Sequence, residues 1–241
     1  MLRCRVAGTV RIVASGAAVD AFGAEARRLS EQVLGADEAA FARVSPCPPW
    51  SVAELLYHVR IGAGRIPGML AETEPADGAL IPAASYFRPG ERFSSAVNDD
   101  RIVVAQRGAA ALGTGAAVAR DFDRAWRESW AKVREAGQAR VVRTRHGDRM
   151  LLTEFLGTRV LELAVHGLDL AAGLGRPPWM TSAAACVVAE MLLPAGAISR
   201  LLDESGWDQV TLVAKATGRL PLTLADATMI ERHNLRRLRL A

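Results

Sequence analysis

Apolar side chains recur along this chain at spacings of three and four, the period of helices that bury one face. From Ala17 to about Gly35, Val19, Phe22, Ala26, Leu29 and Val33 form such a stripe. The run SPCPPW, Ser45 to Trp50, breaks it. Proline lacks an amide hydrogen, and its ring disfavours helical backbone in the residue before it. The next helix has a complete start signal. Ser51 is an N-cap with Glu54 three residues on, a capping box, and Trp50 and Leu55 flank the cap as a hydrophobic staple. This helix is predicted to run to about Ile66, before Pro67, with His58 two turns in among Leu55, Val59 and Ile61.

Residues 67–93 are rich in proline, glycine and small side chains and read as a long loop, with room for one helical turn. Loops of that length in compact folds are often functional. A third helical region spans about Ser95 to Ala136, with a break expected around Gly113 and Gly115. Residues 137–149 are polar and basic, a turn with a short extended piece. A fourth helix runs from about Leu151 to Ala172 and stops at Gly173 or Gly175, with Pro177 and Pro178 beyond. The pattern then changes. Ser182 to Leu202 reads as a helix, Gln209 to Ala216 as a strand, Leu220 to Leu224 as a second strand, and Arg232 to Leu240 as a terminal helix or tail. There is no solenoid-type repeat. The expected organisation is a leader or short strand over 1–16, a helix bundle over 17–178 and a small C-terminal α/β domain over 179–241. The class is mainly α with a small C-terminal α+β region.

The 241 residues, half of them apolar, suffice for one sizeable core. Arginine far outnumbers lysine, which occurs only as Lys132 and Lys215. That bias points to a GC-rich source and to no mechanism. A net charge of +4 over the whole chain is weak support for a nucleic-acid partner. The densest basic stretches, Arg140 to Arg149 and Arg232 to Arg239, lack interleaved aromatics to stack bases and read as a solvated loop and tail. No apolar run reaches the ~18 residues of a membrane helix, and Arg5 and Arg11 interrupt the N-terminal apolar segment, so neither a membrane nor a secretory signal is expected. Cys4, Cys47 and Cys186 form no disulfide framework and no zinc-finger spacing, which favours a reducing cytoplasm. Cys47 reads as packing. The chain is expected to be a monomer or homodimer acting on small molecules.

The chemistry concentrates in the fourth helix. Arg159, Glu162, His166 and Asp169 follow one another at spacings of three, four and three, on one stripe between apolar neighbours. Burying such groups is costly unless they are paired or hold a metal; an exposed stripe is the plain alternative. Glu162 and His166, one turn apart, can converge on one ion. An imidazole and a carboxylate suit zinc, and also iron, nickel or manganese. The best third donor is His58 on another helix. Spacing alone does not settle this, since Glu54 and His58 repeat the same Glu-x3-His pattern, although the capping box occupies Glu54. His146 and His233 sit beside arginines in loop and tail. The paired Glu-x-x-His motifs of a ferritin-like di-iron centre are absent. Tyr57, Trp126 and Trp130 are core aromatics or cleft walls.

The segment CPPWSVAELLYHV, Cys47 to Val59, and the segment RVLELAVHGLDLA, Arg159 to Ala171, resemble the second- and fourth-helix motifs of the mycothiol-dependent maleylpyruvate isomerase family. That family belongs to the DinB-like metal-binding bundles. The resemblance covers about residues 17–175, and TGRLPLT, Thr217 to Thr223, fits the small following domain that such proteins often carry. It implies an up-down-down-up four-helix bundle. It implies a divalent ion, usually zinc, on His58, Glu162 and His166. It also implies a low-molecular-weight thiol as cosubstrate, mycothiol in actinobacteria. An arginine of the C-terminal domain assists such isomerases, and Arg219 is the match here. Asp169 is placed to orient His166, Arg159 to bind a substrate carboxylate or to pair with Glu162, and Tyr57 to line the cleft.

A free thiol has a pKa near 8.5, and coordination to a dication deprotonates it. The implied activity is attack of that thiolate on an electrophilic carbon, giving isomerisation or S-transfer. Two other readings remain open at the level of sequence: a metal-dependent hydrolase using activated water, and a non-catalytic bundle acting in binding or stress.

Overall fold

The computed structural model describes residues 15–88, 90, 94–137, 139–194 and 196–238. Most of the expected leader, 1–14, thus lies outside the described residues. Four helices, Ser15–Leu34, Val52–Ala63, Gly115–Glu135 and Leu152–Leu174, form the framework. The chain enters through α1 (Ser15–Leu34) and a single turn, α2 (Glu38–Phe41), and then forms α3 (Val52–Ala63). The capping box is present: Ser51 Oγ accepts from the Glu54 amide and Glu54 Oε2 accepts from the Ser51 amide at 2.7 Å. Trp50 and Leu55 are both buried.

The segment expected as loop begins with helix. Pro67 falls in the first turn of α4 (Ile66–Ala71), where no intrahelical amide bond is lost. A further turn, α5 (Ala83–Tyr86), precedes α6 (Ser95–Leu112) and α7 (Gly115–Glu135). The last two meet at 107°. Gly113, at φ 81°, supplies the left-handed residue of that corner. Strands β1 (Val141–Arg143) and β2 (Arg149–Leu151) pair antiparallel as a hairpin and lead into α8 (Leu152–Leu174). Gly175 ends α8 in the left-handed conformation, with the Arg176 amide bonded back to the Ala171 carbonyl, a Schellman closure.

Helix α1 packs on α7 and α8, and α3 packs on the same two, so these four helices close a ring around one core. Phe22, Leu29, Leu55, Leu56, Phe122, Trp126, Leu156 and Leu161 fill it. Nearly the whole of α8 is buried, because other elements cover it on several sides.

The C-terminal part departs from expectation. The helix expected over Ser182–Leu202 is two, α9 (Ser182–Leu192) and α10 (Ala197–Ser205), separated by Pro194 and by Gly196 at φ 73°. The strand expected over Gln209–Ala216 is a helix, α11. Its VTLV run has β propensity, but Asp208 caps it through the Thr211 amide at 2.7 Å, and Leu212, Val213 and Ala216 lie buried on one face against α9. Leu220–Leu224 makes no strand either. Thr223 caps α12 (Leu224–Arg232) with Asp226 completing a capping box. Among the described residues after 178 there is thus no strand. The region is helical, with α9 packed on α1 and α8, and the chain from His233 to Leu238 is an irregular tail. No single described helix is long and apolar enough to cross a membrane.

Candidate metal centre

The Ser45–Trp50 turn and the capped start of α3 fix the first donor. Trp50 stacks on the imidazole of His58, with ring centroids 4.7 Å apart and planes 25° from parallel. Across the ring of helices, α8 presents Glu162 and His166 one turn apart. His58 Nε2 lies 4.0 Å from Glu162 Oε2, and His166 Nε2 lies 3.3 Å from the same oxygen. Donor atoms of the three residues all fall within 4.8 Å of one another. Glu54, the other partner in the repeated Glu-x3-His spacing, is held at the helix terminus by the Ser51 amide.

The three donors differ in their electrostatics. Burial and the nearby charge of His166 lower the pKa of His58 to about 3, so it is a neutral imidazole with a free lone pair. Burial alone would raise Glu162, but the His166 hydrogen bond and the charges of Arg159 and His166 outweigh it and hold the carboxylate ionised. His166 moves the other way: against burial, hydrogen bonds with Asp169, Cys47 and Glu162 lift its pKa well above that of a free imidazole.

Behind His166 lies a closed polar cluster. Asp169 Oδ2 is 3.0 Å from His166 Nδ1, so a spacing of three on one helix does bring them into contact. Burial would raise Asp169, yet His166 and Arg219 bring it down to about 2. Arg219 clamps the carboxylate at two points, Nη2 to Oδ2 at 2.7 Å and Nε to Oδ1 at 3.0 Å. It reaches α8 because Gly218, at φ 79°, turns the chain after α11, and the Arg219 amide bonds the Ala214 carbonyl at 2.7 Å. Cys47, expected only to pack, is buried with Sγ 3.1 Å from Asp169 Oδ2. No local sequence signal marks that contact, which spans 122 positions.

Cys47, His166 and Asp169 form a second set of converging donors. That set does not suit a dication, because the guanidinium of Arg219 already occupies both carboxylate oxygens. The set on His58, Glu162 and His166 does suit one. Bonds of about 2.0–2.1 Å from zinc to nitrogen and oxygen separate the ligands of a tetrahedral ion by about 3.3 Å. The distances of 3.3 and 4.0 Å lie near that value.

All three donors face a cavity of about 1030 Å³. Its wall draws arginines from four elements, Arg65, Arg101, Arg143, Arg145 and Arg159, against the acidic Glu72, Asp100 and Glu162. Burial and mutual repulsion lower the pKa values of Arg65 and Arg101. The basic stretch 140–149, read from sequence as a solvated loop, thus contributes Arg143, Arg145 and His146 to the cavity through the hairpin tip. Arg159 is buried with its guanidinium 5.6 Å over the Tyr86 ring and 5.0 Å over the Phe155 ring. Tyr57 does not line the cavity. Its ring packs so closely over Gly108 of α6 that a Cβ there would lie 2.0 Å from Cε1. Trp126 and Trp130 are likewise absent from the wall; Trp126 is core and Trp130 closes over Gly23.

The family model of the mycothiol maleylpyruvate isomerase N-terminal domain matches residues 22–171. The chain belongs to this family. The matched span of the mycothiol maleylpyruvate isomerase domain includes Cys47, His58, Arg159, Glu162, His166 and Asp169, while Arg219 lies beyond it. Among solved structures, a mycothiol-dependent maleylpyruvate isomerase aligns with a TM-score of 0.59 at 16% identity, over 86% of this chain and 90% of that one. A histidine-to-alanine mutant of a mycothiol-dependent maleylpyruvate isomerase aligns with a TM-score of 0.52 at 15% identity, over 73% of this chain and 68% of that one. At such identity the likeness establishes the fold alone, a mainly helical bundle. No curated protein sequence matches the chain.

Proposed function

We propose that the protein is a thiol-dependent isomerase or S-transferase that uses a divalent ion, zinc by choice of donors, on His58, Glu162 and His166. The observation that carries this reading is the convergence of two imidazoles and one carboxylate at the wall of a large cavity. Three protein ligands would leave coordination open to a substrate, the pattern of catalytic sites. Family membership supports mycothiol as the thiol and an unsaturated acid of the maleylpyruvate type as its partner.

When bound, the ion supplies a site that holds the thiol cosubstrate as its thiolate. The protein's own residues do the rest. Asp169 accepts from His166 Nδ1–H and so keeps the Nε2 lone pair turned towards Glu162 and the cavity. Arg219 keeps Asp169 anionic and fixed. The arginine wall, with Arg159 beside the donors, attracts an anionic electrophile and orients its carboxylate. Sulfur adds to the conjugated alkene, and the electron pair moves onto the adjoining carbonyl. Rotation about the former double bond and expulsion of sulfur give the trans isomer; protonation without expulsion gives an S-conjugate.

The test is turnover of maleylpyruvate by the purified full chain with mycothiol, before and after chelation. Activity that disappears on chelation and returns with zinc supports the reading. Turnover that survives complete metal removal, or hydrolysis that needs no thiol, overturns it.

A further inference from the structure

We propose that Cys47 is a positioning residue for the metal centre. Its thiol donates to Asp169 and thereby fixes the carboxylate that orients His166. The inference rests on the ligand assignment above and goes beyond it, since Cys47 is outside the cavity wall and stands behind His166, against both that imidazole and Asp169.

Three observations converge on this. First, Asp169 Oδ2 is shared among His166 Nδ1 at 3.0 Å, Arg219 Nη2 at 2.7 Å and Cys47 Sγ at 3.1 Å, and all three partners are wholly or largely buried. A buried carboxylate is held where its donors place it, because no water competes for its lone pairs. Second, Cys47 is itself held. The Ser45 amide bonds the Trp50 carbonyl at 2.9 Å, Ser45 Oγ donates to that carbonyl at 2.8 Å, and the Cys47 amide donates to Ser45 Oγ at 3.2 Å. The turn is closed upon itself and joined directly to the capped start of α3. Third, the same turn carries Trp50, stacked on His58. One six-residue turn therefore touches the imidazole from α3 through Trp50 and the partner of the imidazole from α8 through Cys47. The geometry makes it a brace that sets the separation of the two histidines. A thiol suits the position because it is small and apolar enough to bury, yet retains one S–H donor.

The experiment compares Cys47→Ser, Cys47→Ala and Cys47→Val in the full chain, by chelator competition with zinc and by cobalt(II) spectra before any thiol is added. Serine keeps a donor and should hold zinc within about 3-fold of the parent. Alanine and valine remove the donor, and valine keeps the apolar bulk. Both should weaken zinc binding by about 10-fold, the scale of losses when an outer partner of a ligand is removed, with the thermal midpoint of the metal-free protein unchanged in at least one of them. Zinc affinity equal to the parent in alanine and valine variants overturns the proposal. So does a sulfur-to-cobalt charge-transfer band in the parent that vanishes in Cys47→Ser, which would make Cys47 a ligand. A parent protein that binds no zinc overturns the ligand assignment itself, an outcome distinct from either.

Discussion

Asp169 and Arg219 lie 50 positions apart and meet in a two-point ion pair, Nη2 to Oδ2 at 2.7 Å and Nε to Oδ1 at 3.0 Å. The pair ties the turn after α11 to α8 at the residue that contacts His166. Arg219→Ala should weaken zinc binding about 10- to 100-fold, the usual cost of losing an outer partner. Arg219→Lys, which keeps the charge but loses the planar fork, should fall between. Chelator competition measures both, and an alanine variant equal to the parent would remove Arg219 from the centre.

His58→Ala and His166→Ala should each abolish stoichiometric zinc, because two remaining protein donors rarely hold the ion. Elemental analysis of the purified variants decides it. Full occupancy in both would place the ion elsewhere.

Zinc binding should be pH-dependent through His166. Its pKa in the metal-free protein is raised, so the ion must displace a proton there. Affinity should fall about tenfold per pH unit as pH drops below that raised value. His58, with a pKa lowered to about 3, is already neutral and adds no second proton until pH approaches 3. Calorimetry in buffers of different ionisation enthalpy should count one released proton. A count of zero would contradict the His166 assignment.

Arg159→Met should raise KM for an anionic electrophile about 10-fold or more while zinc is retained, since all three donors remain and the lost positive charge beside Glu162 repelled the ion. An unaltered KM would return Arg159 to a packing role over Tyr86 and Phe155.

Glu25 lies buried in α1, with Oε2 accepting the Thr181 amide at 2.8 Å and Oε1 without a hydrogen-bond partner. Burial raises its pKa despite the Thr181 bonds and the charge of Arg28. The native state therefore holds this proton more tightly than the unfolded chain. Its contribution is fully present below the ordinary carboxylate pKa and is lost as pH rises through the raised one. Glu25→Gln should raise the thermal midpoint at pH 7 by about 2–4 °C, the shift of ~1 kcal/mol in a chain of this size. It should have no such effect near pH 3.

Much of the framework was legible because it rests on local rules. Ser51, Glu54 and Trp50 announced the start of α3, and Gly173 or Gly175 with the prolines beyond announced the end of α8, which falls at Gly175. The VTLV run misled, because its β propensity was outweighed by the Asp208 cap and by burial against α9, neither of which composition reveals. Tyr57 misled for a related reason: helical position puts it near His58, but the smallness of Gly108 draws its ring towards α6.

The sequence by itself determined the main helices of the bundle and the candidate donors, since cap chemistry, apolar period and residue type act over three or four positions. Only the tertiary structure decided what stands around those donors. Packing of α3 on α8 brings His58 to Glu162, and the turn after α11 delivers Arg219 to Asp169. The Ser45–Trp50 turn carries Cys47 to the same carboxylate, and the hairpin folds its arginines over the cavity. These contacts join residues tens to more than a hundred positions apart. What selects them is the burial of helix faces and the need to satisfy each buried charge, and both depend on the assembled fold.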